Sequence, residues 1–227
     1  MSRAVITGAA RGLGRALTLG YLERGWDVWA GCRNPDQAAD LGARVRRLDV
    51  ADEGLVLEFA AGIGGGVDVV INAAGTDARA FGAATDRRGP FELSADHMVA
   101  ELRVNAVGPM LVTRALRPQL TAAHGKVVNL SSRVASMNVG AELCWDIGYN
   151  ASKAALNAVT VRTAELLKDS GVIVVAMHPG WVRTDMGGPE ADLTPRDAAD
   201  QIIETIDKLG PEDNGMFLRA DGTSHPW

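Results

Sequence analysis

Along the chain, short runs of β-branched and apolar residues take turns with longer stretches whose apolar positions recur at helical spacing. The short runs fall at residues 4–7, 27–31, 44–49, 67–72, 126–131, 172–178 and 216–220. Most are continuously apolar, as in Val172-Ile173-Val174-Val175-Ala176-Met177. Strands buried on both faces read this way, whereas a half-solvated strand alternates. Helical patterns occupy residues 12–24, 35–41, 53–61, 95–121, 149–169 and 195–209. Strand and helix in regular alternation predict an α/β fold, a doubly wound parallel sheet of about seven strands with helices on both faces. Residues 75–93 mix Asp, Arg, Gly and Pro without periodicity. They read as a long loop of the kind that compact domains usually keep for function. The glycines at 62–66 form a short connection, and no repeat or linker divides the chain, so a single domain over residues 1–227 is expected.

Composition narrows the classes. Apolar residues make up 47% and charged residues 22%, which is ordinary globular usage. A net charge of -5 gives no reason to expect a nucleic-acid or anionic-membrane partner. Cys32 and Cys144 lie far apart and read as free thiols in a reducing compartment. His97, His124 and His225 have no sequence neighbours that would complete a metal site, and no metal is expected. No apolar stretch is long enough for a secretion signal or a bilayer span, so a cytoplasmic protein is expected.

The first strand candidate runs into Thr7-Gly8-Ala9-Ala10-Arg11-Gly12-Leu13-Gly14. A strand-to-helix turn without side chains lets a diphosphate approach the backbone, and the helix behind it offers free N–H groups and a positive dipole end. The turn therefore points to a dinucleotide cofactor. An acid at the end of the second strand would hydrogen-bond the ribose of NAD, whereas a base accommodates the 2′-phosphate of NADP. That strand ends Gly31-Cys32-Arg33, with no acid, and Arg11 in the glycine turn adds a second guanidinium. NADP(H) is the cofactor that these charges favour.

Tyr149-Asn150-Ala151-Ser152-Lys153 places a phenol and an ammonium on one face of a helix, a turn apart. A free phenol titrates near 10, and a nearby ammonium is expected to lower that value toward the working range. Such a pair suits proton exchange with a carbonyl or alcohol oxygen during hydride transfer. The fifth strand candidate closes with Asn129-Leu130-Ser131-Ser132, where side chains emerge at the sheet edge that binds ligands in this architecture.

The glycine spacing T-G-x-x-x-G-x-G followed by Y-x-x-x-K resembles the short-chain dehydrogenase/reductase family, in its single-domain, Rossmann-type branch. The resemblance assigns further roles residue by residue. Asp49, in Leu48-Asp49-Val50, matches the acid that binds the adenine amino group. Asn72-Ala73-Ala74-Gly75 matches the turn beside the adenosine ribose, with Ala73 where the family has a second Asn. Pro179-Gly180-Trp181-Val182-Arg183-Thr184 matches the segment that clasps the nicotinamide end. Ser132 matches the serine that fixes the substrate oxygen, in preference to Ser131. Asn105 matches the asparagine that holds a water against the lysine. The cofactor set is thus Gly8, Arg11, Gly12, Leu13, Gly14, Arg33, Asp49, Val50, Asn72, Ala74, Gly75, Tyr149, Lys153, Pro179, Gly180, Val182 and Thr184. The catalytic set is Asn105, Ser132, Tyr149 and Lys153. Tyr149 lies 17 positions after Ser132, about one helical turn more than is usual in the family.

The residues around Tyr149, the stretch 178–188 and the ending Phe217-Leu218-Arg219-Ala220-Asp221-Gly222…Pro226-Trp227 resemble the C-factor and sniffer carbonyl-reductase branch. That resemblance implies reduction of an aldehyde, ketone or quinone by NADPH. The same residues serve an alcohol dehydrogenase running in reverse, and since some members of the branch act in developmental signalling, an NADP(H)-binding signalling or sensor protein with little turnover is a further alternative. Trp145, Trp181 and Trp227 are candidates for pocket walls, and His178 reads as structural. By analogy the helices at 95–121 and 149–169 pair between subunits, which implies a homodimer or homotetramer.

Overall fold

The computed structural model describes residues 1–84, 88–139 and 146–227. Seven parallel strands form one sheet in the order β3-β2-β1-β4-β5-β6-β7. They are β1 (Arg3–Thr7), β2 (Asp27–Cys32), β3 (Arg44–Arg47), β4 (Val69–Asn72), β5 (Lys126–Leu130), β6 (Ile173–His178) and β7 (Phe217–Arg219). The helices are α1 (Gly12–Glu23), α2 (Glu53–Ala61), α3 (Ala95–Leu102), α4 (Gly108–Ala115), α5 (Arg117–Ala123), α6 (Ile147–Leu167) and α7 (Pro195–Lys208).

The continuous apolar runs have the cause expected of them. Ala4 and Ile6 face a core with Leu17 and Tyr21 of α1 and Ile202, Ile203 and Ile206 of α7. Val5 faces the opposite core, with Val56 and Phe59 of α2, Leu111 and Val112 of α4 and Ala164 of α6. Successive side chains of each inner strand therefore bury on opposite faces, and neither face can be polar. Strand order reverses between β1 and β4, which pair directly. A crevice opens at such a switch point, beyond the C-terminal strand ends.

Several predicted boundaries move. The helix expected over 95–121 is three helices, because Arg103–Val107 between α3 and α4 winds as a π-turn. Pro109 has no N–H to close an α-turn onto Asn105, and the Gly108 N–H reaches back to Arg103 instead. The chain then breaks at Leu116, ahead of Pro118 in the first turn of α5. Residues 35–41 form a 3₁₀ helix rather than an α-helix, capped by the Asn34 side chain. The third strand stops at Arg47, two residues early. α6 starts at Ile147, two residues before the predicted Tyr149, because Asp146 caps it by accepting from the Tyr149 N–H at 3.1 Å.

Candidate active site

At the switch point the glycine turn and the turn after β4 meet backbone to backbone. A Cβ on Gly8 (φ +70°) would lie 2.8 Å from the Ala74 Cα, and one on Gly14 would lie 2.3 Å from the Gly8 carbonyl oxygen. Side chains are excluded there by contact as well as by φ. Thr7, which sequence reasoning left out, fixes the approach by accepting from the Ala74 N–H at 3.0 Å. Arg11 is the N-cap residue of α1, yet no side chain caps that end. The first-turn donors are left for an anion. Gly12 faces the Thr184 methyl, 3.2 Å from where its Cβ would be, so the segment after β6 closes the groove from the other side. Across that groove Arg11 pairs with Asp185 at 2.6 Å, both largely exposed.

The other predicted cofactor residues divide into groups. Arg33 is exposed just beyond β2, and Asp49 beyond β3 turns its carboxylate onto the Ala51 N–H at 3.0 Å. Leu13 packs against the α1–α7 core, and Val50 is buried against Gly108. Asn72 is buried and donates to Asn129 at 2.8 Å, while Asn129 donates to Thr160 at 2.9 Å. The Asn72 amide thus belongs to a polar ladder under the sheet edge. Gly75 lies at the catalytic end, where its Cβ would be 3.6 Å from Asn105 Oδ1 and 3.7 Å from Lys153 Nζ. Pro179 and Gly180 follow β6, with Gly180 at φ +85° and Val182 bridged to Leu193.

The catalytic candidates converge at the ends of β5 and α6. The Tyr149 phenol is buried and hydrogen-bonded to Ser132, whereas Ser131 turns inward and donates to Asn157 at 2.7 Å. Lys153 is buried, donates to the Leu130 carbonyl at 2.8 Å and lies 5.6 Å from the Tyr149 ring centroid. Burial pushes the Lys153 amine down to about 8. Burial also pushes the Tyr149 phenol above its ordinary value; the Ser132 hydrogen bond opposes this, and the charges of Asp77, Asp146 and Glu101 add to it. The direction is opposite to the lowered phenol expected from the sequence, because burial dominates and the Lys153 amine is turned to the Leu130 carbonyl. Asn105, in the π-turn, is fully engaged. Its Oδ1 accepts from the Thr76 N–H at 2.9 Å, and its Nδ2 donates to the Thr76 carbonyl at 2.8 Å and to Ser152 at 2.9 Å.

Behind Tyr149 lies a buried charged cluster that the sequence pattern did not signal. Arg88 sits 3.4 Å from Asp146 and 4.0 Å from Asp77, and Arg79 also pairs with Asp77. Glu101 is fully buried beside them, and neither of its carboxyl oxygens has a hydrogen bond of normal geometry. Burial, then the charges of Asp146 and Asp77, push its carboxyl up to about 8, against the Ala78 amide and Arg88. A Cβ on Gly148 would fall 1.9 Å from Glu101 Oε2, so only glycine fits in the turn before Tyr149.

The profile of the short chain dehydrogenase family matches residues 2–195. The chain belongs to that family. Among short-chain dehydrogenase relatives, the C-signal protein of Myxococcus xanthus is 36% identical over 166 residues, covering 72% of this chain and 94% of that protein. The carbonyl reductase Sniffer of D. melanogaster superposes with a TM-score of 0.89 at 29% identity, covering 100% of this chain and 99% of the other. The NADPH-bound carbonyl reductase from chicken fatty liver gives a TM-score of 0.89 at 26% identity, with the same coverage. C-signal and the Sniffer carbonyl reductase thus both stand among the proteins that the chain resembles.

Of the three tryptophans, Trp181 is half exposed and donates to the Gly187 carbonyl at 2.8 Å, and Trp227 stacks on Phe217 at 5.4 Å. Trp145 and Cys144 lie outside the described residues. Cys32 is buried, and its thiol is free. Among the described residues no three His, Cys, Asp or Glu side chains form a metal cluster, and no helix is long and apolar enough to cross a membrane.

Proposed function

We propose that the chain is an NADP(H)-dependent carbonyl reductase, with Tyr149 as proton donor, that converts an aldehyde, ketone or quinone to an alcohol. The observation that carries this reading is the buried Tyr149–Ser132 hydrogen bond beside Lys153, at the same sheet edge as the uncapped glycine turn. The residues fit a dinucleotide: Gly8, Gly12, Leu13 and Gly14 would hold the diphosphate, with Ala74, Gly75, Asp49 and Val50 along the adenosine half. Asn72 supports that turn from below. Arg33 and Arg11 would meet the 2′-phosphate, and Pro179, Gly180, Val182 and Thr184 the nicotinamide end.

When bound, the reduced nicotinamide supplies a hydride to the carbonyl carbon. Ser132 holds the carbonyl oxygen by its hydroxyl. Tyr149 hands its proton to that oxygen as negative charge develops; its raised value keeps the phenol protonated until a base as strong as an alkoxide faces it. Lys153, restrained by the Leu130 carbonyl, steadies the phenolate left behind and would hold the nicotinamide ribose. Asn105 braces Thr76 against Ser152 and so fixes the wall behind the lysine. The same groups run the reverse oxidation, and the ratio of cofactor forms sets the direction.

The buried Cys32 thiol fits a reducing cytoplasm. Val99, Val107, Met110, Val161 and Leu166 are exposed apolar residues on α3, the π-turn, α4 and α6, which supports pairing of these helices in a homodimer or homotetramer. The reading is tested by titrating the protein with NADPH and with NADH, following cofactor fluorescence, and then screening carbonyls. NADPH should bind at least about tenfold more tightly, and replacing Arg33 and Arg11 by Ala should erase that margin. Equal binding of NADH would overturn the cofactor assignment, and absence of turnover across the panel would overturn the reductase.

A further inference from the structure

Beside Ser132, on the side away from the glycine turn, a cleft of about 560 Å³ opens over the ends of β5, β6 and β7. Its lining includes Arg133, His178, Arg219, Asp221 and His225. Two guanidiniums and two imidazoles thus face one carboxylate. Asp221 accepts from the Thr223 N–H at 2.9 Å and hydroxyl at 2.6 Å, both on Oδ1, and these bonds, with a smaller pull from Arg219, hold its carboxyl below the ordinary range, so the cleft keeps a surplus of cationic groups. Neither arginine has an acidic partner within ion-pair distance among the described residues; Arg219 makes one long contact to Thr223 at 3.5 Å.

We infer that this cleft receives a carboxylate carried by the substrate, held by Arg133 and Arg219, so that the preferred substrates are carbonyl compounds with an anionic tail. The inference rests on the carbonyl-reductase reading and adds the substrate class. The cofactor's own anions cannot account for these cations. Its diphosphate and 2′-phosphate belong at the ends of β1 and β2, and β6 lies three strands beyond β1, about 14 Å at usual sheet spacing. His178 lies in the field of the same two arginines. Its Nδ1 is buried without a hydrogen-bond partner, its ring faces His225 at 5.8 Å, and burial together with His225, Arg133 and Arg219 holds it down to about 4. An N–H at His178 Nδ1 would donate to a carboxylate held by the two guanidiniums. Planar guanidinium forks match a carboxylate better than any neutral group.

The test uses 4-formylbenzoate, 4-formylphenylacetate and 3-(4-formylphenyl)propanoate, which step the carboxylate outward from the carbonyl, each beside its methyl ester. With the intact enzyme and NADPH, at least one acid should be favoured over its ester in kcat/KM. In Arg133→Ala/Arg219→Ala that acid-to-ester ratio should fall about tenfold or more, and Arg133→Lys/Arg219→Lys should restore part of it. In parallel, the His178 imidazole is titrated by NMR with and without 4-(hydroxymethyl)benzoate. The carboxylate should raise the His178 midpoint, and the double alanine variant should lose that rise. Turnover of acids and esters with a ratio that the substitutions do not move would overturn the anion site and leave the reductase standing. No turnover of any aldehyde, with the His178 rise intact, would overturn the reductase and leave an anion site.

Discussion

The two ends of the site are built from different materials. At β1 the contacts are backbone: Gly8 against Ala74, Gly14 against Gly8, and a helix end that no side chain caps. No buried titratable group is used there, and its precision comes from the absence of side-chain atoms. At β5 and α6 the site is side chains, and burial has moved their protonation: the phenol of Tyr149 and the carboxyl of Glu101 up, the amine of Lys153 down. The glycine end is suited to holding a constant ligand in one position. The tyrosine end is suited to changing protonation state, and it carries the cost of buried charge. Binding and chemistry should therefore respond separately to substitution.

The largest effect should come from Tyr149→Phe, which removes the proton and keeps the ring. Turnover should fall by roughly 10²–10⁴-fold or more, with NADPH affinity nearly retained. Parallel kinetics and fluorescence titration check this, and a parallel loss of both would erase the distinction between the two ends. The complementary change is Gly14→Ala. Its methyl group would collide with the Gly8 carbonyl, so NADPH affinity should fall at least about tenfold and stability by about 1–3 kcal/mol, seen in titration and denaturant melts. Glu101→Gln sharpens the contrast through pH. The native carboxyl titrates near 8, above its ordinary 4.5, so the native state holds the extra proton between those values and wild-type stability falls as pH rises through them. The variant should escape that fall, melting roughly 2–4 °C or more above wild type at pH 8.5 and together with it at pH 4.5. The smallest effect belongs to Arg11→Ala or Asp185→Asn. That exposed pair should contribute within about 1 kcal/mol to stability, and melting in high salt should remove even this.

The sheet, its strand count and its glycine turn were legible because each is a local pattern: continuous apolar runs, positive-φ glycines, and strand and helix in turn. Tyr149, Lys153 and Ser132 could be named as candidates from spacing and family resemblance, and the structure brings them to one edge. What escaped depends on distant partners. Glu101 in a helical stretch gives no sign that Gly148 will admit its carboxyl, and Thr7 gives none that Ala74 will reach it. The raised phenol was missed because spacing places the lysine near the ring but not its Nζ on the Leu130 carbonyl. Two signals were present and underused. Asp146 ahead of a helix is an N-cap, and Pro109 after Asn105 forbids the α-turn that would have made one long helix.

The π-turn at Arg103–Val107 also bears on how the gene can change. An ordinary helix advances about 100° per residue, so the extra residue in that turn sets the rotational phase of α4 relative to α3. Asn105 must meet Thr76 and Ser152, while Leu111, Val112 and Leu116 must meet the sheet. Loss of a single codon here would shift that phase and turn one of these two faces away. Surface loops of the chain can absorb such losses, whereas these five residues cannot, so length should vary around them among descendants of this sequence and not within them.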